Sequence, residues 1–257
     1  MKKLLRVNNL FYSVEGNEGK ISILENISFE LGKQRTLGIA GESGSGKTTL
    51  GKLLAGILVP TSGEINFDLE ESKIHKTSPV QILFQNNGEI LNPFRKVKEV
   101  VEEAVRMRTG KTGIDETRTR LFQSLDFPPA LWERKGYELS GGEQQRAALA
   151  RLLAVKPEVL ILDEPFSAQD PESQLNFLNL FKKIKEEYSI TLICIAHNIR
   201  LLRKLCDEIM IIYRGRLVEH GNTEDIFNSP KHSYTKFLLK SENYDLTFED
   251  FNASSRQ

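Results

Sequence analysis

The segment Gly41–Thr48 has the residue types and the spacing of a phosphate-binding loop. It reads Gly-Glu-Ser-Gly-Ser-Gly-Lys-Thr and fits the pattern G-x-x-x-x-G-K-[ST]. The glycines allow successive backbone N–H groups to curl around phosphate oxygens. Lys47 would place a cation beside those oxygens, and the Thr48 hydroxyl would bind a Mg²⁺ ion. The chemistry that this pattern indicates is the binding of a nucleotide phosphate.

A second glycine turn, Ser140-Gly141-Gly142, begins a predicted helix. Serine is a good N-cap, and Glu143 three residues later completes a capping box. The helix start offers N–H groups, a hydroxyl and the positive end of the helix dipole to an anion. From the residues alone, an anion site and a well-capped helix that binds nothing are equally favoured. If both segments bind phosphate, they are two half-sites, and half-sites need a partner.

Polar side chains directly follow several predicted buried strands. Asp163 and Glu164 come after the apolar run Val159–Leu162, while Gln85 and His197 each end another apolar run. The carboxyl ends of parallel strands line one crevice. There Asp163 could hold Mg²⁺, and Glu164 could orient or deprotonate a water molecule. Gln85 and His197 could reach a phosphate or the metal, although a polar residue after a strand is more often part of a turn.

Secondary-structure patterns supply the elements that would position these groups. Thr36–Ala40 is a short apolar run that leads into Gly41, which predicts a strand before the loop. After Lys47 the pattern changes to helical spacing, which predicts a helix after the loop. This is the context that a phosphate-binding loop requires. The apolar positions of that helix are Leu50, Leu53, Leu54 and Ile57.

Residues 86–154 are predicted to be largely helical, with helices at Val97–Met107 and Thr117–Leu125. They lie between stretches that alternate strands and helices, so we interpret them as an inserted helical subdomain. A later helix is predicted at Leu175–Glu187. A hairpin is predicted around Arg214-Gly215. The acidic, serine-rich end, residues 242–257, is predicted to be a mobile tail.

Bulk properties limit the function classes. Lys plus Arg and Asp plus Glu each number 35 in 257 residues, so charge gives no reason to expect nucleic-acid binding. No apolar run approaches the roughly 18 residues of a membrane span, and the N-terminus does not look like a signal peptide. Cys194 is predicted to be a buried, inert thiol. His75, His220 and His232 are predicted to be surface residues.

Taken together, these motifs resemble the ATP-binding subunit of an ABC transporter over almost the whole chain. Gly41–Thr48 matches Walker A, and Leu160–Glu164 is similar to Walker B with its catalytic glutamate. Leu139-Ser140-Gly141-Gly142-Glu143-Gln144 resembles the highly specific ABC signature. Gln85 falls at the Q-loop, Asp170 at the D-loop and His197 at the switch histidine.

Two further segments resemble the oligopeptide, dipeptide and nickel importer ATPases. Phe84-Gln85 followed by Leu91-Asn92-Pro93 is similar to their Q-loop region. Ser229–Leu239 is similar to their His-Pro-Tyr-Thr segment, with Ser233 in place of proline. The resemblance implies an α/β P-loop NTPase fold with a mainly parallel sheet core, an antiparallel β subdomain and the helical insertion. It implies one ABC ATPase domain over residues 1–241.

The resemblance also implies roles for individual residues. Glu164 and His197 are the expected catalytic residues, and Asp170 is the D-loop aspartate. Thr48, Gln85 and Asp163 are the expected Mg²⁺ ligands. Ser140, Gly141, Gly142 and Gln144 are expected to face the ATP of a partner subunit. The expected contacts to the chain's own ATP are Gly41, Glu42, Ser43, Gly44, Ser45, Gly46, Lys47, Thr48, Thr49, Gln85 and Tyr12.

The implied partners are a second ABC ATPase, in a homodimer or heterodimer, and transmembrane permease subunits. A substrate-binding protein would act indirectly, and the chain would lie at the cytoplasmic face of the cell membrane. The expected function is to drive import of peptides, nickel or metal chelates. A non-transport ATPase resembling that of the carbon–phosphorus lyase complex is the alternative. Val14 stands where the family stacks an aromatic ring on adenine, so Tyr12 is only a candidate for that contact.

Overall fold

In a computed structural model, the described residues are 2–17, 19–69, 77–84, 91–110, 112–167 and 170–241. Gln85, His75 and the predicted tail at 242–257 lie outside them. The chain divides into two compact units. Unit 1 comprises Met1–Asp68 and Ile193–Gln257, and unit 2 comprises Leu69–Leu192.

Unit 1 contains an antiparallel sheet built from the start of the chain. Strand β1 (Lys3–Gly16) forms a hairpin with β2 (Gly19–Gly32), and β4 (Ser62–Phe67) pairs with the other edge of β1. Leu5, Val7 and Leu10 of β1 are buried and contribute to the apolar core, and a register shift separates Val7 from Leu10.

A mixed sheet forms the second part of unit 1. Strand β3 (Thr36–Ala40) lies parallel to β8 (Glu208–Tyr213), which lies antiparallel to β9 (Arg216–Asn222). Every residue of β3 is buried, as expected for a central parallel strand. The helices of this unit are α1 (Lys47–Leu54), α6 (Ile199–Leu205), α7 (Thr223–Asn228) and α8 (Ser233–Ser241).

Helix α1 ends earlier than its apolar spacing predicts. Gly56 adopts a left-handed φ of 71°, the Ile57 N–H donates to Lys52 O, and the Gly56 N–H donates to Leu53 O. These bonds make a Schellman motif, which ends a helix at a left-handed glycine. The prediction that Ile57 is an apolar position of this helix is therefore wrong: Ile57 lies beyond the end of α1, and the residue is 53% exposed.

Unit 2 contains parallel strands and packed helices. Strand β5 (Val80–Leu83) pairs with β6 (Val159–Asp163) from its first residue, and β7 (Thr191–Ile195) begins in this unit and ends in unit 1. Its helices are α2 (Val97–Thr109), α3 (Ile114–Ser124), α4 (Gly141–Ala154) and α5 (Pro171–Tyr188). Helices α2, α3 and α4 pack on one another, and Phe122 contacts both Phe127 and Trp132.

The predicted α/β class is confirmed, with parallel pairing in both units and an antiparallel sheet in unit 1. The predicted helices in residues 97–125 and 175–187 are present, with boundaries shifted by a few residues. Cys194 is fully buried, as predicted. The prediction that His220 is a surface residue is wrong. Its Nε2 lies 3.3 Å from Glu208 Oε2, and its side chain is only 24% exposed.

Candidate functional site

The loop at Gly41–Thr48 joins β3 to α1 and packs closely against neighbouring strands of unit 1. A Cβ at Gly41 would lie 2.1 Å from the carbonyl oxygen of Ile212, at the end of β8. A Cβ at Gly46, whose φ is 99°, would lie 2.6 Å from Leu24 on β2. Only glycine fits such contacts. Gly41 and Gly46 therefore allow the loop to lie close against these two strands.

Lys47 is the first residue of α1, and its side chain folds back over the loop. Its residue exposure is 7%, and its Nζ donates hydrogen bonds to Gly41 O at 2.9 Å and Glu42 O at 2.7 Å. These two carbonyl oxygens keep the buried ammonium group hydrogen-bonded. The lysine cation is thus held at the loop.

The start of α1 has the features of an anion site. Within the described residues, no side chain caps this helix and no acidic residue lies in its first turn. Ser43, Gly44 and Thr48 are exposed, so the outer surface of the loop is accessible. The first N–H groups of a helix need partners, and the helix dipole favours a negative one. Nucleotide phosphate fits this donor set, and the hydroxyl of the exposed residue Thr48 is a suitable oxygen ligand for Mg²⁺.

The β1–β2 hairpin carries the candidate base-stacking residues. Tyr12 is half-buried and pairs with Leu24, the residue against which Gly46 packs. Val14 and Ile21 pair farther along the hairpin, and both are exposed. Tyr12 therefore lies on the strand next to Leu24, the residue that contacts the phosphate-binding loop at Gly46.

His197 follows β7 in unit 1, and its side chain is exposed. The preceding residue, Ala196, donates its N–H to Ile39 O on β3 at 3.2 Å. His197 thus lies beside the strand that leads into the loop. The next residue, Asn198, caps α6 by accepting a hydrogen bond from the Leu201 N–H at 3.2 Å.

In unit 2, Asp163 is the last residue of β6, and Glu164 follows it with an unusual backbone conformation. Asp163 is buried, whereas Glu164 is half-buried and has a left-handed φ of 51°. The N–H and the hydroxyl of Ser167 both donate to the carbonyl oxygen of Glu164, at 3.2 Å and 2.9 Å. Such a conformation costs free energy in a residue other than glycine and clusters at functional sites. Glu164 is one of eight described residues other than glycine with a positive φ, so its assignment depends on its motif as well as its backbone.

Gln145, which none of the predicted site motifs assigns a role, helps hold the loop after Glu164. This glutamine on α4 is 1% exposed, and its Nε2 donates to Pro165 O at 2.9 Å. From α5, Gln174 Nε2 donates to Phe166 O at 3.3 Å. A glutamine on the helix face that carries Ala148, Leu149 and Leu152 was the available signal, since a buried amide needs a partner.

The predicted capping box at Ser140 is confirmed. The Ser140 N–H donates to Glu143 Oε2 at 2.8 Å, and the Glu143 N–H donates to Ser140 Oγ at 3.4 Å. Ser140 and Gly141 remain exposed. Gln144 instead directs its Nε2 to two carbonyl oxygens of its own chain, Gly136 at 3.1 Å and Leu139 at 3.2 Å.

Asp170 is the N-cap of α5. Its carboxylate accepts from the Ser173 hydroxyl at 2.6 Å and from the Ser173 N–H at 2.9 Å. These hydrogen bonds, the hydroxyl first, hold the pKa of Asp170 below its ordinary value. Asp170 is therefore ionised and held in place at the start of that helix.

The predicted site residues are divided between the two units. Unit 1 contains the loop with Lys47 and Thr49, the Tyr12 hairpin and His197. Unit 2 contains Asp163 and Glu164, and Gln145 connects the loop that follows them to the helix of the Ser140 segment.

Comparisons with known proteins give one consistent family. The sequence profile of the family described as ABC transporter matches residues 24–167, more than half of the chain. The dipeptide transport ATP-binding protein DppF of Haemophilus influenzae is 36% identical over 232 residues, covering 86% of this chain and 71% of that protein. The oligopeptide transport ATP-binding protein AppF of Bacillus subtilis is 32% identical, covering 87% and 71%.

Solved structures agree with these relatives. The cbiO1 protein from Clostridium perfringens, part of the ABC transporter complex cbiONQ, has a TM-score of 0.77 at 25% identity and full coverage of both chains. The ATP-binding cassette MJ0796, solved as a dimer in a post-hydrolysis state with ADP and Pi, has a TM-score of 0.74 at 25% identity. That match covers 86% of this chain and 99% of the other.

Proposed function

Because this chain belongs to the ABC transporter family, in which the ATP-binding subunits hydrolyse ATP to drive transport, we propose that it powers a peptide importer. The observation that carries the choice of peptides is the 36% identity to a dipeptide transport ATP-binding protein over 86% of the chain. An oligopeptide transport ATP-binding protein supports the same cargo class. Nickel transport and the carbon–phosphorus lyase alternative stay predictions.

The chain binds and hydrolyses ATP, and we assign phosphate binding, water activation and Mg²⁺ binding to individual residues. Lys47 and backbone N–H groups of the loop and of α1 bind the phosphates. Glu164 orients the attacking water or accepts its proton, as a general base. His197 assists at the γ-phosphate. The Thr48 hydroxyl and the Asp163 carboxylate are suited to hold Mg²⁺, which would neutralise phosphate charge.

A second ATPase subunit completes the proposed site. ABC ATPases dimerise, as in the MJ0796 dimer with ADP and Pi. The exposed Ser140 and Gly141, at the positive end of α4, would face the γ-phosphate bound by the partner's loop. Closure on ATP and reopening after hydrolysis would drive the permease subunits.

Attachment to the membrane is proposed to be through those permease subunits. Among the residues that the structure describes, none of the helices combines the length and the apolar character that a membrane span requires. We propose that the chain is peripheral at the cytoplasmic face and that an extracytoplasmic binding protein delivers peptides to the permease.

Affinity purification from detergent-solubilised membranes of the native host tests this proposal. We expect permease subunits and a second ATPase to co-purify, and the reconstituted complex to hydrolyse ATP faster when a peptide-loaded binding protein is added. Glu164→Gln in the same complex is the matched control and should abolish the stimulation. Stimulation by a nickel-loaded binding protein instead, or co-purification with soluble enzyme subunits alone, would contradict peptide import.

A further inference from the structure

Helix α8 places a buried aromatic side chain beneath the phosphate-binding loop in unit 1. Tyr234 is 1% exposed and stacks on Tyr213, the last residue of β8, with ring centroids 4.2 Å apart and planes inclined by 21°. The residue before Tyr213 is Ile212, whose carbonyl oxygen abuts Gly41. The stack therefore connects α8 to the strand that supports the start of the loop.

The phenol oxygen of Tyr234 is hydrogen-bonded to the backbone of Glu42, inside the loop. Glu42 offers its N–H as the donor in this bond, since the bond favours the ionised phenol. Burial outweighs that effect and, with the nearby Glu42 carboxylate, raises the pKa of Tyr234 to about 12. Tyr234 is therefore neutral at physiological pH.

The same peptide unit contacts Lys47 on its other side. The Glu42 N–H and the Gly41 carbonyl belong to one planar peptide group, and they point in opposite directions when that group is trans. Within the described residues no peptide is cis. Gly41 O accepts from Lys47 Nζ at 2.9 Å. Tyr234 and Lys47 thus hold opposite ends of a single peptide.

Helix α8 is itself firmly attached to unit 1. The Glu219 carboxylate on β9 accepts from the Lys231 N–H at 2.8 Å and from the His232 N–H at 3.0 Å. The turn between β8 and β9 also bonds the loop directly, because the Gly215 N–H donates to Ser45 O at 3.2 Å. A displacement of α8 would consequently move the Gly41–Glu42 peptide.

We propose that Tyr234 is a positioning residue for ATP binding, which fixes the Gly41–Glu42 peptide and thereby the place of the Lys47 ammonium group. This role goes beyond a packing function for the segment Ser229–Leu239. It rests on the assignment of Gly41–Thr48 as the phosphate-binding loop.

Tyr234→Phe tests the role because it keeps the ring and the stack and removes only the oxygen. The Kd for ATP, measured by calorimetry without Mg²⁺ to prevent hydrolysis, should rise by about threefold to tenfold, as expected for one buried hydrogen bond. Glu219→Gln, which weakens the attachment of α8, should shift the Kd in the same direction by a smaller factor.

Tyr188→Phe is the matched control, since it removes a hydroxyl hydrogen bond to Ser124, 2.7 Å long, in unit 2. It should lower Tm by a comparable amount and leave the Kd for ATP unchanged. A Tyr234→Phe protein with the wild-type Kd would overturn the proposal and leave a packing role, and so would an equal Kd change in Tyr188→Phe. If Lys47→Ala also binds ATP normally, the error lies in the assignment of the loop.

Discussion

Lys47 and Glu164 are both held in arrangements that cost free energy. An ammonium group is strongly hydrated in the unfolded chain, yet Lys47 is buried against two carbonyl oxygens. Glu164 adopts a left-handed backbone that glycine would adopt more easily. Such costly arrangements are more frequent at functional sites than elsewhere, so both residues are candidates for a functional role. Each can therefore be tested by a single substitution.

Lys47→Ala should weaken ATP binding by about tenfold to a hundredfold, since hydrogen bonds to a charged group are worth about 1.5–3 kcal/mol. Calorimetric titration with ATP measures the change. Lys52→Ala, in the last turn of the same helix, is the control and should keep the wild-type affinity. Unchanged ATP binding in Lys47→Ala would refute its assignment to phosphate.

Glu164→Gln should bind ATP normally and lower kcat by a factor of about 10² or more, as expected on losing a general base. Glutamine keeps the side-chain length, so the fold should be preserved. Steady-state release of phosphate measures kcat, and size-exclusion chromatography with ATP should show a stabilised dimer. Glu172→Gln, an exposed glutamate in the first turn of α5, is the control. Near-normal turnover in Glu164→Gln would exclude the catalytic role.

Helices α1 and α4 both begin at glycine-containing turns, but their N-termini are capped differently. Helix α1 has no side-chain cap within the described residues, whereas the Ser140–Glu143 capping box bonds two backbone N–H groups at the start of α4. An anion at the N-terminus of α1 would therefore accept hydrogen bonds of the kind that the capping box accepts in α4. Helix α4 also holds the loop that follows Glu164, because Gln145 on its buried side donates a hydrogen bond to Pro165 O.

Gln145→Leu should lower the free energy of unfolding by about 1–3 kcal/mol and reduce kcat, because the loop after Glu164 loses a buried hydrogen bond. Urea unfolding and ATPase assays measure the two effects. Gln123→Leu, on the exposed side of α3, is the control and should change neither. Reduced stability with wild-type kcat would show that the bond is structural only.

The stability of the folded chain should depend on pH through a histidine far from the predicted motifs. Burial lowers the pKa of His220, although the neighbouring Glu208 carboxylate opposes that effect. Arg35 Nε lies 3.2 Å from the other carboxylate oxygen of Glu208, Oε1. The arginine cation therefore weakens the stabilisation that this carboxylate gives to a protonated His220. A histidine with a lowered pKa in the folded state takes up its proton more readily in the unfolded chain, so acidification favours unfolding.

We expect the free energy of unfolding to decrease as the pH falls below about 6.5, towards the lowered pKa of His220. Carboxylates with lowered pKa values, such as Glu219, also reduce the free energy of unfolding on acidification. They do so only when the pH approaches or falls below 4.5, the ordinary pKa of a glutamate side chain. Urea unfolding between about pH 7 and pH 5.5 separates the two. His220→Gln should flatten the slope in this window, and His232→Gln should not. A wild-type slope in His220→Gln would contradict the assignment.

Short-range features were predictable from the sequence because they depend on residues near one another in the chain. The loop at Gly41–Thr48 and the capping box of Ser140 with Glu143 are such features, and so is the acidic pair after Val159–Leu162. The end of α1 was also local, and Gly56 was the overlooked signal. The family and the α/β class follow from these motifs.

Contacts between distant residues depended on packing that no local pattern specifies. Pro165 accepts its hydrogen bond from a residue twenty positions earlier, and Glu42 meets Tyr234 from the far end of the chain. The burial of His220 likewise depends on its partner strand β8. Local sequence determines which residues can bind phosphate and activate water. The packing of strands and helices determines which side chains hold them in place, because burial and hydrogen-bond partners exist only once distant elements meet.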